Sequence, residues 1–199
     1  MNHDSDKYLA CMEELKRRFA VLDEALAPFR DRNLVAVPNL ELACLQLRKI
    51  YELVAFAALA TNRERYSEVR KAYEKDWNLA EVLKVIEKLN PHSFPIAYKD
   101  VDGEIFDIPE LKFTRASLTK LHGELGSVLH ARNPYAPEID FRSRLDKCCQ
   151  ERDRARTILN FHRVWPDPHR DQTFYLVQMH TLPDGAVQVA VFEKQAAVQ

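Results

Sequence analysis

The chain is short of glycine and has no excess of charge of either sign. Only 4 of its 199 residues are glycine, which argues against a fold built mainly from tightly turned strands. The 29 basic and 30 acidic residues give a formal net charge of −1, so overall charge indicates neither a nucleic acid nor a membrane as partner. Any such partner would have to bind a local patch.

Sequence signatures of several common enzyme classes are also missing. The chain contains no G-x-x-x-x-G-K-[ST], G-x-G-x-x-G, G-x-S-x-G or H-E-x-x-H segment. We therefore expect no conventional nucleotide-hydrolysing domain, no cofactor and no metal site. The Asp100-x-Asp102-Gly103 segment lacks the later oxygen ligands of a calcium loop, which favours an ordinary turn.

Apolar runs and cysteines indicate a protein of the cytoplasm. The longest nearly apolar run, residues 53–60, has about a third of the length of a bilayer span, and the polar, acidic start shows no secretory signal. The 4 cysteines never form C-x-x-C, so we expect reduced, structural thiols. The sequence predicts a cytoplasmic location without membrane contact.

Apolar periodicity predicts a mainly α protein. Apolar residues recur at three- and four-residue spacing in six segments, which are residues 4–27, 40–61, 65–75, 78–89, 114–131 and 137–161. The second segment is apolar on nearly every side, which predicts a central helix. In the fifth, Ser117 is a candidate cap, and Gly123 with Gly126 indicates the close approach of another helix.

Two stretches have a β-prone pattern instead. Residues 94–108 surround an Asp-Gly pair and predict a hairpin inserted between helices. A second hairpin is predicted at residues 174–192, with residues 162–164 as a candidate third strand. We therefore predict an up-and-down helical bundle over residues 1–161 and a small β appendage over residues 162–199.

The charged residues of the predicted central helix lie on one face. Glu41, Arg48 and Glu52 are seven and four residues apart, a spacing that places them together on a helix. On an apolar helix such a face is either an internal ion pair between Arg48 and Glu52 or the wall of a polar pocket. The sequence alone leaves both interpretations open.

A second polar group follows the predicted fifth helix. Residues 129–135 bring together His130, Arg132, Asn133 and Tyr135. These side chains suit phosphate binding and proton transfer. They also suit an ordinary helix end, because an arginine near the carboxyl terminus favours the helix dipole and Asn-Pro stops a helix.

Two short segments resemble a known family. Residues 47–53 (LRKIYEL) and 129–134 (LHARNP) resemble segments of the HEPN-like helical-bundle superfamily, and the resemblance covers about residues 5–160. It implies a bacterial helical bundle that is often dimeric. Active members of that superfamily are metal-independent ribonucleases of toxin–antitoxin and antiviral systems, and others bind RNA or nucleotides without cleavage.

The resemblance also implies roles for particular residues. RNA cleavage would need a proton-transfer group, a cation to stabilise the phosphorane, and polar groups to orient both. His130, or else His122, would transfer the proton, and Arg48 or Arg132 would stabilise the phosphorane. Asn133 and Glu52 would orient these groups.

The predicted sixth helix has a local excess of basic residues. With His122, the candidate RNA- or ligand-binding residues are Arg142, Arg144, Lys147, Arg152 and Arg156. They would follow a phosphate backbone, or they form a solvated face with many salt bridges. We predict a protein that binds or cleaves RNA or binds a nucleotide, in a bacterial toxin or defence context. The alternative is a non-catalytic interaction module with a structural polar seam, acting as a homodimer or with a protein partner.

Overall fold

The computed structural model describes residues 3–27, 37–130, 133, 135, 140–166, 168–169, 173–179 and 185–193. Its helices are α1 (His3–Leu26), α2 (Val37–Thr61), α3 (Arg63–Val69), a 3-10 turn (Tyr73–Lys75), α4 (Leu79–Leu89), α5 (Arg115–Gly126) and α6 (Phe141–Asn160). Its strands are β1 (Ile96–Val101), β2 (Glu104–Lys112), β3 (Phe161–Val164), β4 (Thr173–Gln178) and β5 (Gln188–Glu193).

Helix α2 is the centre of the helical layer, as its apolar pattern predicts. It packs along α1 and also contacts α3, α4, α5 and α6. Leu47, Ile50 and Val54 are fully buried, and so is Tyr51, whose ring meets that of Phe113 edge to face at 6.0 Å. Thirteen of its 25 residues are buried, so a charge beside this buried surface needs a specific partner or position.

The strands form one sheet, which corrects the predicted mainly α bundle with a small appendage. The sheet is antiparallel with the order β2-β1-β3-β4-β5. Both hairpins and the third strand are present, but β1 pairs with β3, with Ile96 opposite Arg163 and Ala97 opposite His162. The physical reason is that a buried strand edge must be paired. The inserted hairpin therefore belongs to the same sheet as the C-terminal strands.

Helices cover one face of this sheet. His162, Val164, Tyr175 and Val177 point to that face and are buried, and α1 contributes Tyr8 to it. The opposite face carries Phe161, Arg163, Phe174 and Phe192, because directly paired residues lie on the same side of a sheet. Phe174 stacks on Phe192 at 5.0 Å with 4° between the ring planes.

Local structure at the helix and hairpin ends differs in detail from the sequence prediction. Helix α5 is capped by Thr114, and Ser117 is the other half of the capping box instead of the cap itself. The Asp-Gly turn is an ordinary hairpin turn, with φ of 56° at Asp102 and 87° at Gly103. Helix α3 ends at Val69, earlier than predicted.

In the described part of the chain, no helix is long and apolar enough to cross a membrane.

Candidate functional site

Arg48, Glu52 and His122 meet between α2 and α5. Glu52 Oε1 lies 3.0 Å from His122 Nε2 and 3.3 Å from Arg48 Nε. Its second oxygen, Oε2, accepts a 2.8 Å hydrogen bond from Lys49 Nζ. We call Arg48, Lys49, Glu52 and His122 the α2–α5 cluster. It combines a carboxylate, an imidazole and two cations at the edge of the helical core.

The hydrogen bonds fix the charge state of Glu52. The His122 hydrogen bond, followed by those from Lys49 and Arg48, lowers the pKa of Glu52 from 4.5 to about 2, although partial burial opposes the shift. The carboxylate is therefore ionised at neutral pH and accepts hydrogen bonds only. It follows that His122 donates its Nε2 hydrogen to Glu52.

The missing side chain at Gly126 leaves the space that the Arg48 guanidinium occupies. A Cβ atom at Gly126 would lie 2.8 Å from Arg48 Nη1, whereas a Cβ at Gly123 would meet nothing within 4 Å. The predicted close approach at these glycines is thus found at one of them, and the neighbour is an arginine side chain. Among the residues that the structure describes, Glu52 is the hydrogen-bond partner of Arg48, and about a third of the Arg48 side chain is exposed.

The first turns of α6 lie beside the carboxyl end of α5. Arg144 Nη1 donates a 3.3 Å hydrogen bond to Ser127 Oγ, and Lys147 bonds to Glu124. Arg142 is exposed on the same turn of α6. We call Arg142, Arg144 and Lys147 the α6 basic group. Ser127 follows Gly126 directly, so Arg144 contacts the end of α5 next to the residue that lies against Arg48.

Among the described residues, no hydrogen bond or ion pair joins His130 or Asn133 to the cluster. His130 is exposed beyond the end of α5. Asn133 is exposed as well, and its Oδ1 accepts the backbone N–H of Tyr135 at 3.0 Å. Arg132 lies outside the described residues. Of the two candidate histidines, His122 is the one that the fold places against Glu52 and Arg48.

Two of the predicted binding arginines face α1. Arg156 Nη2 donates a 2.6 Å hydrogen bond to Asp23 Oδ2, and its guanidinium lies 5.1 Å from the centre of the Phe19 ring. Arg152 lies 3.7 Å from the other oxygen of Asp23 and donates to Asp153 at 2.8 Å. Both therefore hold α6 against α1, away from the α6 basic group.

The site also contains two residues that the sequence patterns did not predict. Glu124 and Ser127 position the α6 basic group, and neither stands out by residue type or spacing. Their positions, two residues before and one residue after Gly126, are the signal that points to them. In the described part of the chain, no group of three or more His, Cys, Asp or Glu side chains is arranged to hold a metal ion.

Comparison with known proteins returned no match: no family model, no curated protein and no solved structure is similar to this chain. The resemblance to HEPN-like proteins therefore stays a prediction from two short segments.

Proposed function

We propose that this chain binds RNA across the α2–α5 cluster and the α6 basic group, and that His122 transfers the proton during cleavage. The observation that carries the proposal is the 3.0 Å contact between His122 and an ionised Glu52, with Arg48 on the same carboxylate oxygen. A histidine that is oriented by a carboxylate beside a cation is a recurrent arrangement for proton transfer next to a phosphate.

Binding would depend on the cations that surround the cluster. Arg48 bonds to Glu52 through Nε and its Nη1 packs against Gly126, so Nη2 would be the atom that contacts a phosphate oxygen. Lys49, Arg144 and Lys147 would add contacts to neighbouring phosphates. Among the described residues, Lys49 bonds to Glu52, Arg144 to Ser127 and Lys147 to Glu124. These bonds would hold each cation in place for a polyanion.

Cleavage would use the hydroxyl of the RNA itself. His122 Nδ1 would accept the 2′-hydroxyl proton while Glu52 holds the hydrogen on Nε2 and stabilises the imidazolium that forms. Arg48 would stabilise the negative charge on the phosphorane oxygens. The oxygen of the attacking hydroxyl would form a bond to phosphorus as the bond from phosphorus to the 5′ oxygen breaks. The 5′ oxygen would take up a proton from solvent, which leaves a 2′,3′-cyclic phosphate and a 5′-hydroxyl.

The test is cleavage of a labelled single-stranded RNA in EDTA by the native protein, His122→Ala, His130→Ala and Arg48→Ala. We expect losses of about 10²-fold or more for His122→Ala and Arg48→Ala, and little change for His130→Ala. Arg17→Ala is the matched control, because Arg17 is an exposed arginine of α1 that pairs with Glu14. An RNA with a 2′-deoxy sugar at the cleaved position should bind and remain intact.

The contradicting results are equally specific. Cleavage that persists in His122→Ala would remove His122 from the reaction, and binding that is as strong in Arg48→Ala as in the native protein would place RNA elsewhere. Two further expectations belong to the same proposal. One is a cytoplasmic location, which the apolar runs and cysteines suggested, and the other is a role in bacterial toxin or defence systems, which the resemblance of residues 47–53 and 129–134 implied.

A protein-interaction module is the second candidate function, and the outer face of the sheet favours it. Phe161 and Phe192 are 40% and 45% exposed on that face. Large apolar side chains on one surface suit a protein partner or a second copy of the chain. Under this function the α2–α5 cluster is structural, and RNA neither binds nor is cleaved in the experiment above.

A further inference from the structure

Two thiols from distant parts of the chain meet between α2 and α6. Cys44 Sγ on α2 lies 3.5 Å from Cys148 Sγ on α6, and 104 positions separate the two residues in the sequence. Both cysteines are free thiols in the structure. A disulfide has an S–S length of about 2.05 Å, so the two sulfurs need to approach by about 1.5 Å to form one.

The thiol pair lies at the margin of the core. Cys44 and Cys148 are 1% and 3% exposed, but Cys148 is the first buried residue of α6, and residues 141–147 before it are exposed or half-buried. The first turns of α6 therefore bury little surface and can open without unfolding of the core. A brief local opening admits a small oxidant such as hydrogen peroxide more readily than a bulky one such as glutathione disulfide.

Hydrogen bonding makes the two thiols chemically unequal. The hydrogen bond with Cys148 lowers the pKa of Cys44, and the charge of Arg144 acts in the same direction, although burial opposes both. The same hydrogen bond, together with burial, raises the pKa of Cys148. Cys148 is therefore the S–H donor, and Cys44 is the thiol that ionises first and attacks an oxidant.

The pair lies one helical turn from the cations of the proposed RNA site. Cys44 precedes Arg48 by four residues on α2, and Cys148 follows Arg144 by four residues on α6. The α6 basic group is bonded to the end of α5. Approach of the two sulfurs would draw α6 toward α2 and displace this group from its α5 partners.

We propose that Cys44 and Cys148 form a reversible disulfide when the protein meets hydrogen peroxide, and that this bond lowers RNA affinity by displacing the α6 basic group. The disulfide depends only on the contact between the two thiols. The effect on RNA rests on the proposed function, so the two parts are tested by separate measurements.

The reaction takes two steps. The Cys44 thiolate attacks one oxygen of hydrogen peroxide, the O–O bond breaks, and the leaving hydroxide takes up a proton, which gives water and a Cys44 sulfenic acid. The sulfur of Cys148 then loses its proton and attacks the Cys44 sulfur, the S–O bond breaks, and the leaving hydroxide takes that proton to give a second water. The two sulfurs lose two electrons and the peroxide gains them. Dithiothreitol reverses the bond by thiol–disulfide exchange.

The experiment treats the full chain with hydrogen peroxide, removes the excess with catalase and alkylates the remaining thiols in denaturant. We expect intact-mass spectrometry to show two alkylated cysteines instead of four, and peptide mapping to join Cys44 to Cys148. Dithiothreitol should restore all four. Four alkylated cysteines after the peroxide treatment, or a bond between any other pair of cysteines, would overturn the proposal.

Variants of the adjacent cysteines assign the bond. Cys149 follows Cys148 directly, so Cys149→Ser is the matched control and should still form the bond, whereas Cys148→Ser should not. A bond to Cys44 that persists in Cys148→Ser contradicts the assignment. Should Cys148→Ser fail to fold, absence of the bond in Cys149→Ser contradicts it instead.

Titration of a labelled single-stranded RNA tests the effect on binding. The oxidised native protein should bind RNA about threefold or more weakly than the reduced protein, because displaced cations lose phosphate contacts. Cys148→Ser should show no dependence on peroxide. Equal RNA affinity in the oxidised and reduced protein would overturn the effect on RNA but not the disulfide. No RNA binding by the reduced protein would contradict the proposed function itself and, with it, the effect on RNA.

Discussion

The phenol of Tyr8 donates a 2.7 Å hydrogen bond to Nε2 of His162, which lies 154 residues further along the chain. The other ring nitrogen, Nδ1, donates to the backbone oxygen of Leu159 at 2.7 Å. Burial strongly raises the pKa of Tyr8, so its hydroxyl keeps the proton that this bond needs. His162 is therefore held as a neutral imidazole inside the core, at the point where α1 meets the sheet.

This arrangement predicts a loss of stability in mild acid. Burial lowers the pKa of His162 from 6.5 to about 4, although the hydrogen bond to Leu159 opposes the shift. Below pH 6.5 the unfolded chain takes up the proton first, so the free energy of unfolding falls as the pH drops from 6.5 to 4, by about 3 kcal/mol in total. Denaturant unfolding at pH 7.5 and 4.5 measures the change. His162→Gln should be less stable at pH 7.5 but should show a flatter pH dependence; an equal slope in both proteins would contradict the prediction.

The two glycines of α5 provide a matched pair of substitutions. Gly123→Ala should raise stability by up to about 1 kcal/mol because alanine favours the helix and its Cβ meets no neighbour within 4 Å. Gly126→Ala should also fold, because the clashing Arg48 guanidinium is the end of a flexible side chain, but it should displace Arg48 and weaken RNA binding. Thermal unfolding and RNA titration of both variants check this. Equal RNA affinity in the two variants would show that the position of Arg48 is unimportant for binding.

The contact between Glu52 and His122 should be measurable as a coupling energy. We expect a double-mutant cycle with Glu52→Gln and His122→Ala to give about 1 kcal/mol at pH 7, since both side chains are mostly buried but not fully desolvated. The lowered pKa of Glu52 means that its stabilising effect is present above pH 4.5 and is lost as the pH falls from there to about 2. Denaturant unfolding of the four proteins gives the coupling, and a value near zero would show that the contact does not stabilise the fold.

Replacement of Arg163, even by lysine, should destabilise the fold. Its Nε and Nη2 atoms lie 3.0 and 2.5 Å from Asp107 Oδ1, and its guanidinium lies 4.5 Å from the centre of the Trp165 ring. Lysine keeps the charge but loses the planar group that bonds and stacks at once. Arg163→Lys is therefore expected to lower the free energy of unfolding by about 1 kcal/mol or more in urea. Lys99→Arg, an exposed change on β1, is the control and should have almost no effect.

Local features of the fold could be predicted from the sequence, whereas the pairing of distant segments could not. The Asp102-Gly103 turn, the burial of α2 and the strands of both hairpins follow from turn chemistry and periodicity. The single sheet does not, because pairing of β1 with β3 joins segments that are far apart in the chain. Periodicity reports which face of a strand is apolar and carries no information about the strand beside it.

In the candidate site, too, contacts within one helix could be predicted from the sequence and contacts between helices could not. The pair of Arg48 and Glu52 follows from i, i+4 spacing on one helix. The contact of Glu52 with His122 spans 70 residues and depends on how α2 packs against α5. Local crowding of polar residue types drew attention to His130, but crowding along the chain does not report proximity in space. Arg152 and Arg156 likewise belong to a basic run in the sequence, and their pairing with Asp23 is apparent only once α1 and α6 are packed.

The order of strands in the sheet constrains how the protein is made. The ribosome completes β1 and β2 well before it reaches β3, so the edge of β1 that later pairs with residues 161–164 emerges unpaired. Tyr8 emerges earlier still, and its partners His162 and Tyr175 are among the later residues to be synthesised. The nascent chain therefore carries an open strand edge from the completion of β1 until residues 161–164 are made, and in this period aggregation competes with folding.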